Sequence, residues 1–160
     1  MPDFQQIQSI VESAAQGAVT LLESTTPPGF RIAADDLQGV CIALRDHPDT
    51  YFDMLSCLTG LDNGADAATM EVIYNLYSVP YDLRLTLAVT TGRGDPHVPT
   101  VSHVWKTANW HEREAYDFYG INFTGHPDQR RILLPADWQG FPLRKDYQHE
   151  SYYRGIKIEY

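Results

Sequence analysis

Cysteine is scarce in this chain: Cys41 and Cys57 are the only two among 160 residues. An iron–sulfur cluster typically takes four cysteine thiolates, so none can be built from this chain alone. Two isolated thiols read instead as reduced, buried side chains in a reducing compartment. Long apolar runs are missing too. The longest span a few residues, such as Ile132 to Leu134, where a membrane-crossing helix needs about 20. The opening residues, Met1 to Gln16, have neither a basic leader nor a continuous apolar stretch, and do not read as a secretory signal. Cations are outnumbered, 12 Lys and Arg against 21 Asp and Glu, for a net charge of -9. That balance argues against nucleic acid as a partner, because phosphate binding leaves a basic footprint. There is no Gly-x-Gly-x-x-Gly fingerprint, no P-loop and no serine nucleophile elbow. Nucleotide cradles and serine hydrolase chemistry drop out with them.

What is present is unevenly placed. Residues 1–100 hold 13 acids and 4 bases, whereas residues 101–160 hold 8 of each, so the whole excess lies in the front of the chain. A hydrophobic content of 43% excludes wholesale disorder, and the length suits one core rather than two. The expected architecture is a single α+β domain over residues 1–147. N-terminal helices would pack on a mixed or antiparallel sheet, followed by a C-terminal extended segment and a short tail at 148–160.

Periodicity supplies the detail. Phe4, Ile7, Val11, Ala14, Ala18 and Leu21 follow one helical face, and Asp3 with Gln6 resembles a capping box, so a helix is expected up to Pro27-Pro28-Gly29. Phe30 to Ala33 suits a short strand. Asp35-Asp36 offer caps for a second helix bearing Leu37, Val40 and Leu44 and stopping near His47-Pro48. A short helical or mixed element is expected over Tyr51 to Gly60. The period then turns to two over Thr69–Ser78 and Leu83–Thr90, which predicts an antiparallel pair joined by Val79-Pro80-Tyr81-Asp82. Gly92 to Pro96 is a turn cluster, in which Arg93-Gly94-Asp95 is a chance match to an adhesion tripeptide. A helical period returns through Val104, Trp105, Ala108, Ala115, Tyr116 and Tyr119, with Gly120 as its left-handed stop. Beyond it, Pro127, Pro135 and Pro142 predict short strands and extended segments. His149 to Tyr160 has no core-like period and reads as a tail lying on something else.

Metal chemistry finds little support. His111-Glu112-Arg113-Glu114 lacks the second histidine of a zincin, and His126 with Asp128 is too small a set for a site. Glu112, Glu114, Asp117, Asp128 and Asp137 could supply a glycosidase-like pair. Arg113, Arg130, Arg131, Arg144 and Lys145 lie among them, however, and ion pairing lowers carboxylate pKa values where a general acid needs one raised. Arg113 and Asp117, four apart on the expected helix, can meet, though a cation placed before its anion is the weaker order. The stretch from Trp110 to Tyr147 therefore reads as paired ions and aromatic anchors, built to dock. The candidate interface residues are the cations Arg113, Arg130, Arg131, Arg144 and Lys145, the anions Glu112, Glu114, Asp117, Asp137 and Asp146, and the anchors Trp110, Trp138, Phe141 and Tyr147. Packing within the same domain is the alternative role for each.

The same stretch carries a resemblance. Glu112-Arg113-Glu114-x-Tyr116-Asp117-x-Tyr119-Gly120-Ile121-x-Phe123-x-Gly125-His126-Pro127-Asp128 is followed by Arg130-Arg131-Ile132-Leu133. Then comes Asp137-Trp138-x-Gly140-x-Pro142-Leu143-Arg144-Lys145-Asp146. Together these resemble the signature of the 30 kDa subunit family (the C subunit) of proton-pumping NADH:quinone oxidoreductase, respiratory complex I. Gln129 and Gln148 depart from it, standing where that family usually has an apolar residue and a proline. The resemblance implies a peripheral-arm scaffold subunit without flavin, cluster or quinone pocket of its own. FMN and iron–sulfur clusters would sit on partner subunits. The chain would dock on the quinone-site (D/49 kDa-type) subunit, at the cytoplasmic face of the inner membrane, touching the membrane only through the complex. An equivalent subunit of a membrane-bound hydrogenase or ferredoxin-fed quinone reductase would share this architecture; a stand-alone carboxylate hydrolase is the remote alternative.

Overall fold

The capping box expected at the start of the chain is formed: the Gln6 N–H donates to the Asp3 carboxylate at 2.8 Å, and the Asp3 N–H to the Gln6 side chain at 2.9 Å. It opens α1, Phe4–Ala14, in a computed structural model that describes residues 3–23 and 25–158. The helix is shorter than its apolar period. Gln16 and Gly17 donate their N–H groups to the Asp36 carboxylate at 3.0 and 2.9 Å, which draws the chain out of the helix after Ala15. Leu21 consequently lies in a strand, β1, Thr20–Leu22, and Ala18 outside the helix.

After β2, Gly29–Ile32, a single 3-10 turn leads into α2, Leu37–Asp46. Asp36 precedes α2 but makes no side-chain cap hydrogen bond there, because its oxygens serve the end of α1. The element expected as helical or mixed over Tyr51–Gly60 is a strand, β3, Met54–Asp62. A bulge between Leu55 and Cys57 inserts one residue, so Leu55 and Leu58 both face inward three positions apart. That spacing imitates a helical period. Strands β4, Thr69–Ser78, and β5, Leu83–Gly92, pair antiparallel as expected.

These strands form one mixed sheet in the order β1-β2-β5-β4-β3, with only β2 and β5 parallel. Inward residues of the sheet, including Phe30, Leu58, Val72, Tyr74 and Leu87, join Ile7 and Val11 of α1 and Val40, Cys41 and Leu44 of α2 in one core. The third helix, α3, Ala108–Tyr119, adds Ala108 and Ala115 to it. A short parallel pair, β6, His97–Pro99, and β7, Asn122–Thr124, brackets α3. After residue 125 the chain runs through a series of turns and irregular segments, with turn hydrogen bonds from Trp138 to Pro135, Arg144 to Phe141 and Tyr147 to Arg144, and it closes with a two-strand ladder, β8, Tyr152–Tyr153, and β9, Ile156–Lys157. The architecture is the α+β arrangement that the sequence implies. No helix among the described residues is long and apolar enough to cross a membrane.

Candidate docking surface

Helix α3 rests on β3 because Gly60 makes room: a Cβ there would lie 2.7 Å from the Tyr119 ring. At its end Gly120 takes φ +73°, and a Cβ at that position would meet the Phe141 ring at 2.5 Å. The glycine thus satisfies both a left-handed stop and a close approach. Phe141 belongs to a strap, residues 128–147, that returns over the outer side of α3.

Two buried aspartates fasten this strap. One Asp117 oxygen accepts the N–H groups of Ile132, Leu133 and Leu134 at 2.7–3.0 Å, while the other takes Arg131 at 2.7 Å. Burial pushes the Asp117 carboxyl up, but the Leu134 N–H, Arg131 and the Leu133 and Ile132 N–H groups outweigh it and leave the carboxyl below its ordinary value. Arg131 also donates to the carbonyls of Trp138 and Gly140. Its guanidinium and that of Arg144 lie 5.2 and 4.9 Å from the Phe141 ring centre. Arg144 donates to the Tyr119 carbonyl at 2.7 Å, a cation at a helix C-terminus.

Asp62, at the end of β3, holds the other end. It accepts Arg93 through both oxygens at 2.8 and 3.0 Å, the Lys145 N–H at 2.8 Å and the Gly64 N–H at 2.9 Å. Arg93 above all, with these N–H donors, holds its carboxyl well below the ordinary value against the effect of burial. Arg93 reaches on to Asp146 at 2.6 Å. The cation of the adhesion-like tripeptide is therefore structural, with a side chain only 14% exposed.

Glu112 differs from the expected paired anion. It is fully buried, and no Arg or Lys among the described residues pairs with it. Its oxygens meet the Val101 N–H and the Thr100 hydroxyl, which bridges to Ser102. Burial, only partly opposed by those two hydrogen bonds, pushes the Glu112 carboxyl up to about 7. His126 Nε2 lies 3.8 Å away, but its hydrogen bond goes to the Asn109 carbonyl, while Nδ1 accepts from the Asp128 N–H. Both ring nitrogens are thus engaged within the chain. No group of three or more His, Cys, Asp or Glu side chains that could hold a metal ion occurs among the described residues.

The remaining candidates divide by direction. Arg113 does not meet Asp117, whose oxygens are taken by Arg131 and the strap N–H groups; Arg113 instead donates to the carbonyls of Arg130 and Arg131 at 3.0 and 3.4 Å. Arg130 pairs with Asp128 at 2.8 Å. Asp137 accepts Tyr153 and Arg154, so the tail ladder lies against the strap, and Tyr153 packs on Trp138 at 5.4 Å between ring centres. Tyr147 lies close to Gly140. Trp110, 61% exposed, Glu114 and Lys145 face outward, as do Leu133 and Leu143 of the strap, and Glu114 and Leu143 line one small cavity. Residues that spacing did not single out complete the arrangement: Asp62, Arg93, Thr100, Ser102 and Gln129. Asp62 meets Arg93 and Lys145 at 31 and 83 residues' distance and Thr100 meets Glu112 at 12, whereas Gln129 reaches only 6 and 8 residues back. Gln129, which departs from the family signature, bridges the Phe123 N–H and the Ile121 carbonyl with its side-chain amide.

Comparison with known proteins supplies independent findings. A family model described as the respiratory-chain NADH dehydrogenase 30 Kd subunit matches residues 30–153, which include α3 and the whole strap. The C subunit of the NADH-quinone oxidoreductase from Chlorobium phaeobacteroides is 42% identical over 154 residues, spanning 94% of this chain and 92% of the relative. Its counterpart from Chloroherpeton thalassium is 46% identical over 127 residues, spanning 79% of this chain and 52% of the relative. Among solved structures, a trypsin-resistant fragment (1–134) of Nqo5 is 25% identical with a TM-score of 0.61, covering 76% of this chain and 98% of the fragment. A chain of the membrane-bound sulfane sulfur reductase, an archaeal respiratory membrane complex, shares the fold at 19% identity with a TM-score of 0.73, covering 90% of this chain and 84% of that one.

Proposed function

The chain belongs to the respiratory-chain NADH dehydrogenase 30 kDa subunit family, and from that premise we propose that it is a scaffold subunit in the peripheral arm of an NADH:quinone oxidoreductase. On this reading it docks on the quinone-site subunit, at the cytoplasmic face of the inner membrane, and carries no redox group itself. Electrons would pass from NADH through FMN and clusters on other chains to quinone, coupled to proton translocation in the membrane arm. The observation that best supports the reading is the strap. A long signature segment is fixed by buried ion pairs and leaves Trp110, Glu114, Leu133, Leu143 and Lys145 turned outward. Exposed apolar side chains among charges are the composition of an interface whose centre is aromatic and whose rim is polar.

Under this proposal the outward groups are the docking residues, and Arg131, Arg144 and Asp117 support them from behind. Residues 1–147 would form the docking domain, with 148–160 as its tail. The test is to tag the chain in its own cell, extract membranes in mild detergent and purify. Recovery in a large complex with flavin, clusters and NADH:quinone activity is the expected result. Lys145→Glu should lower recovered complex and activity in parallel, with turnover per flavin unchanged. A complex that assembles at normal level but has lost turnover would place chemistry on this chain and overturn the reading.

A further inference from the structure

Arg113 forms no ion pair among the described residues, and the acid that feels its charge, Asp128, is already paired with Arg130. The Arg113 Nε and Nη2 donate to the carbonyls of Arg130 and Arg131, and its guanidinium lies 5.2 Å from the Trp110 ring centre. No carboxylate among the described residues lies within 4.0 Å of it. With Tyr116, Gln129, Arg130, Arg131 and Ala136 it lines an open groove of about 510 Å³. The other two cations have acids of their own, Asp128 for Arg130 and Asp117 for Arg131. The groove therefore keeps one positive charge in excess, in a chain whose net charge is -9.

A guanidinium fixed by backbone carbonyls and an aromatic face loses little rotamer freedom on receiving a carboxylate, and its planar fork suits that group. Trp110, 61% accessible and packed against the Arg113 guanidinium, favours apolar neighbours for the acid. We propose that this groove receives an acidic segment, an Asp or Glu flanked by apolar residues, from another subunit of the complex. The inference rests on the assembly reading under Proposed function and adds the chemistry of the partner.

The test introduces Ala136→p-benzoylphenylalanine into the tagged chain, irradiates the purified complex and sequences the cross-linked peptide. The expected product is a peptide of a different subunit containing Asp or Glu. Arg113→Gln in the same background should lower cross-link yield on the order of tenfold, and Arg113→Lys by less, since lysine keeps the charge without the fork. A cross-link to a peptide without an acid, to a second copy of this chain, or to nothing overturns the groove inference, as does an unchanged yield with Arg113→Gln. Failure of the unmodified chain to join a complex overturns the assembly reading and the groove with it. Co-purification without the expected cross-link overturns the groove alone.

Discussion

Glu112 is a carboxylic acid in the wrong environment for its charge. Its site supplies a backbone N–H and a hydroxyl but no Arg or Lys among the described residues, and burial pushes its carboxyl up to about 7 from an ordinary value of 4.5. The folded chain therefore binds a proton that the unfolded chain releases. The stabilisation is fully present below pH 4.5 and is lost as pH rises towards 7, by about 3 kcal/mol in all. Glu112→Gln retains an acceptor for Val101 and gains a donor towards Thr100, mimicking the protonated acid. Urea unfolding between pH 5 and 8 should show a falling midpoint for the native chain and a flat one for Glu112→Gln; parallel slopes would refute the assignment. Asp62 has the opposite sign. Its carboxyl is held below the ordinary value, chiefly by Arg93, so its stabilisation is present at neutral pH and is lost as the solution is acidified through the folded value. Asp62→Asn should therefore flatten the acid limb of the stability profile and leave the Glu112 limb in place.

Elements were legible in the sequence where local pattern and long-range demand agree. Strands β4 and β5 alternate with period two and pair as read, and Gly120 ends α3 where the helical period stops. Failures occurred where a distant group intervened. The apolar period of α1 continues to Leu21, but Asp36, from beyond β2, captures the N–H groups that the helix would have used. In β3 a bulge gave a strand the inward spacing of a helix. The proposed docking face was half legible: its signature could be found, but ion pairs such as Asp62 with Arg93, 31 residues apart, left no trace in spacing. Gly120 offers a sharp test at this scale. Gly120→Ala combines φ +73° with a Cβ 2.5 Å from Phe141, so it should destabilise the chain by more than the roughly 1 kcal/mol that a left-handed alanine alone entails. If only the backbone matters, the additional substitution Phe141→Ala should leave the loss unchanged; if the ring contact matters, Phe141→Ala should recover part of it. Thermal unfolding of the single and double variants distinguishes the two.

The whole molecule is a helix-covered sheet with a charged strap drawn over its third helix, and the strap's order is set at both ends. Asp117 holds residues 131–134 and Asp62 holds Arg93 and the Lys145 N–H, so the segment between is a closed loop pinned to the core. Pins of this kind are cooperative: once one end is released, the entropy regained by the strap makes the second pin easier to lose. Asp117→Asn turns an amide NH2 towards either Arg131 or the three strap N–H groups and should destabilise by about 3 kcal/mol, as breaking a buried ion pair does. Asp62→Asn should loosen the other end. If the strap behaves as a unit, the double variant should be less destabilised than the sum of the singles by about 1 kcal/mol or more, in a cycle measured by urea unfolding. Strict additivity would mean two independent ion pairs and no strap. The cycle bears on docking as well, because the outward groups Leu133, Leu143 and Lys145 all lie on the pinned segment. Releasing either pin should therefore lower recovery of the complex nearly as much as releasing both.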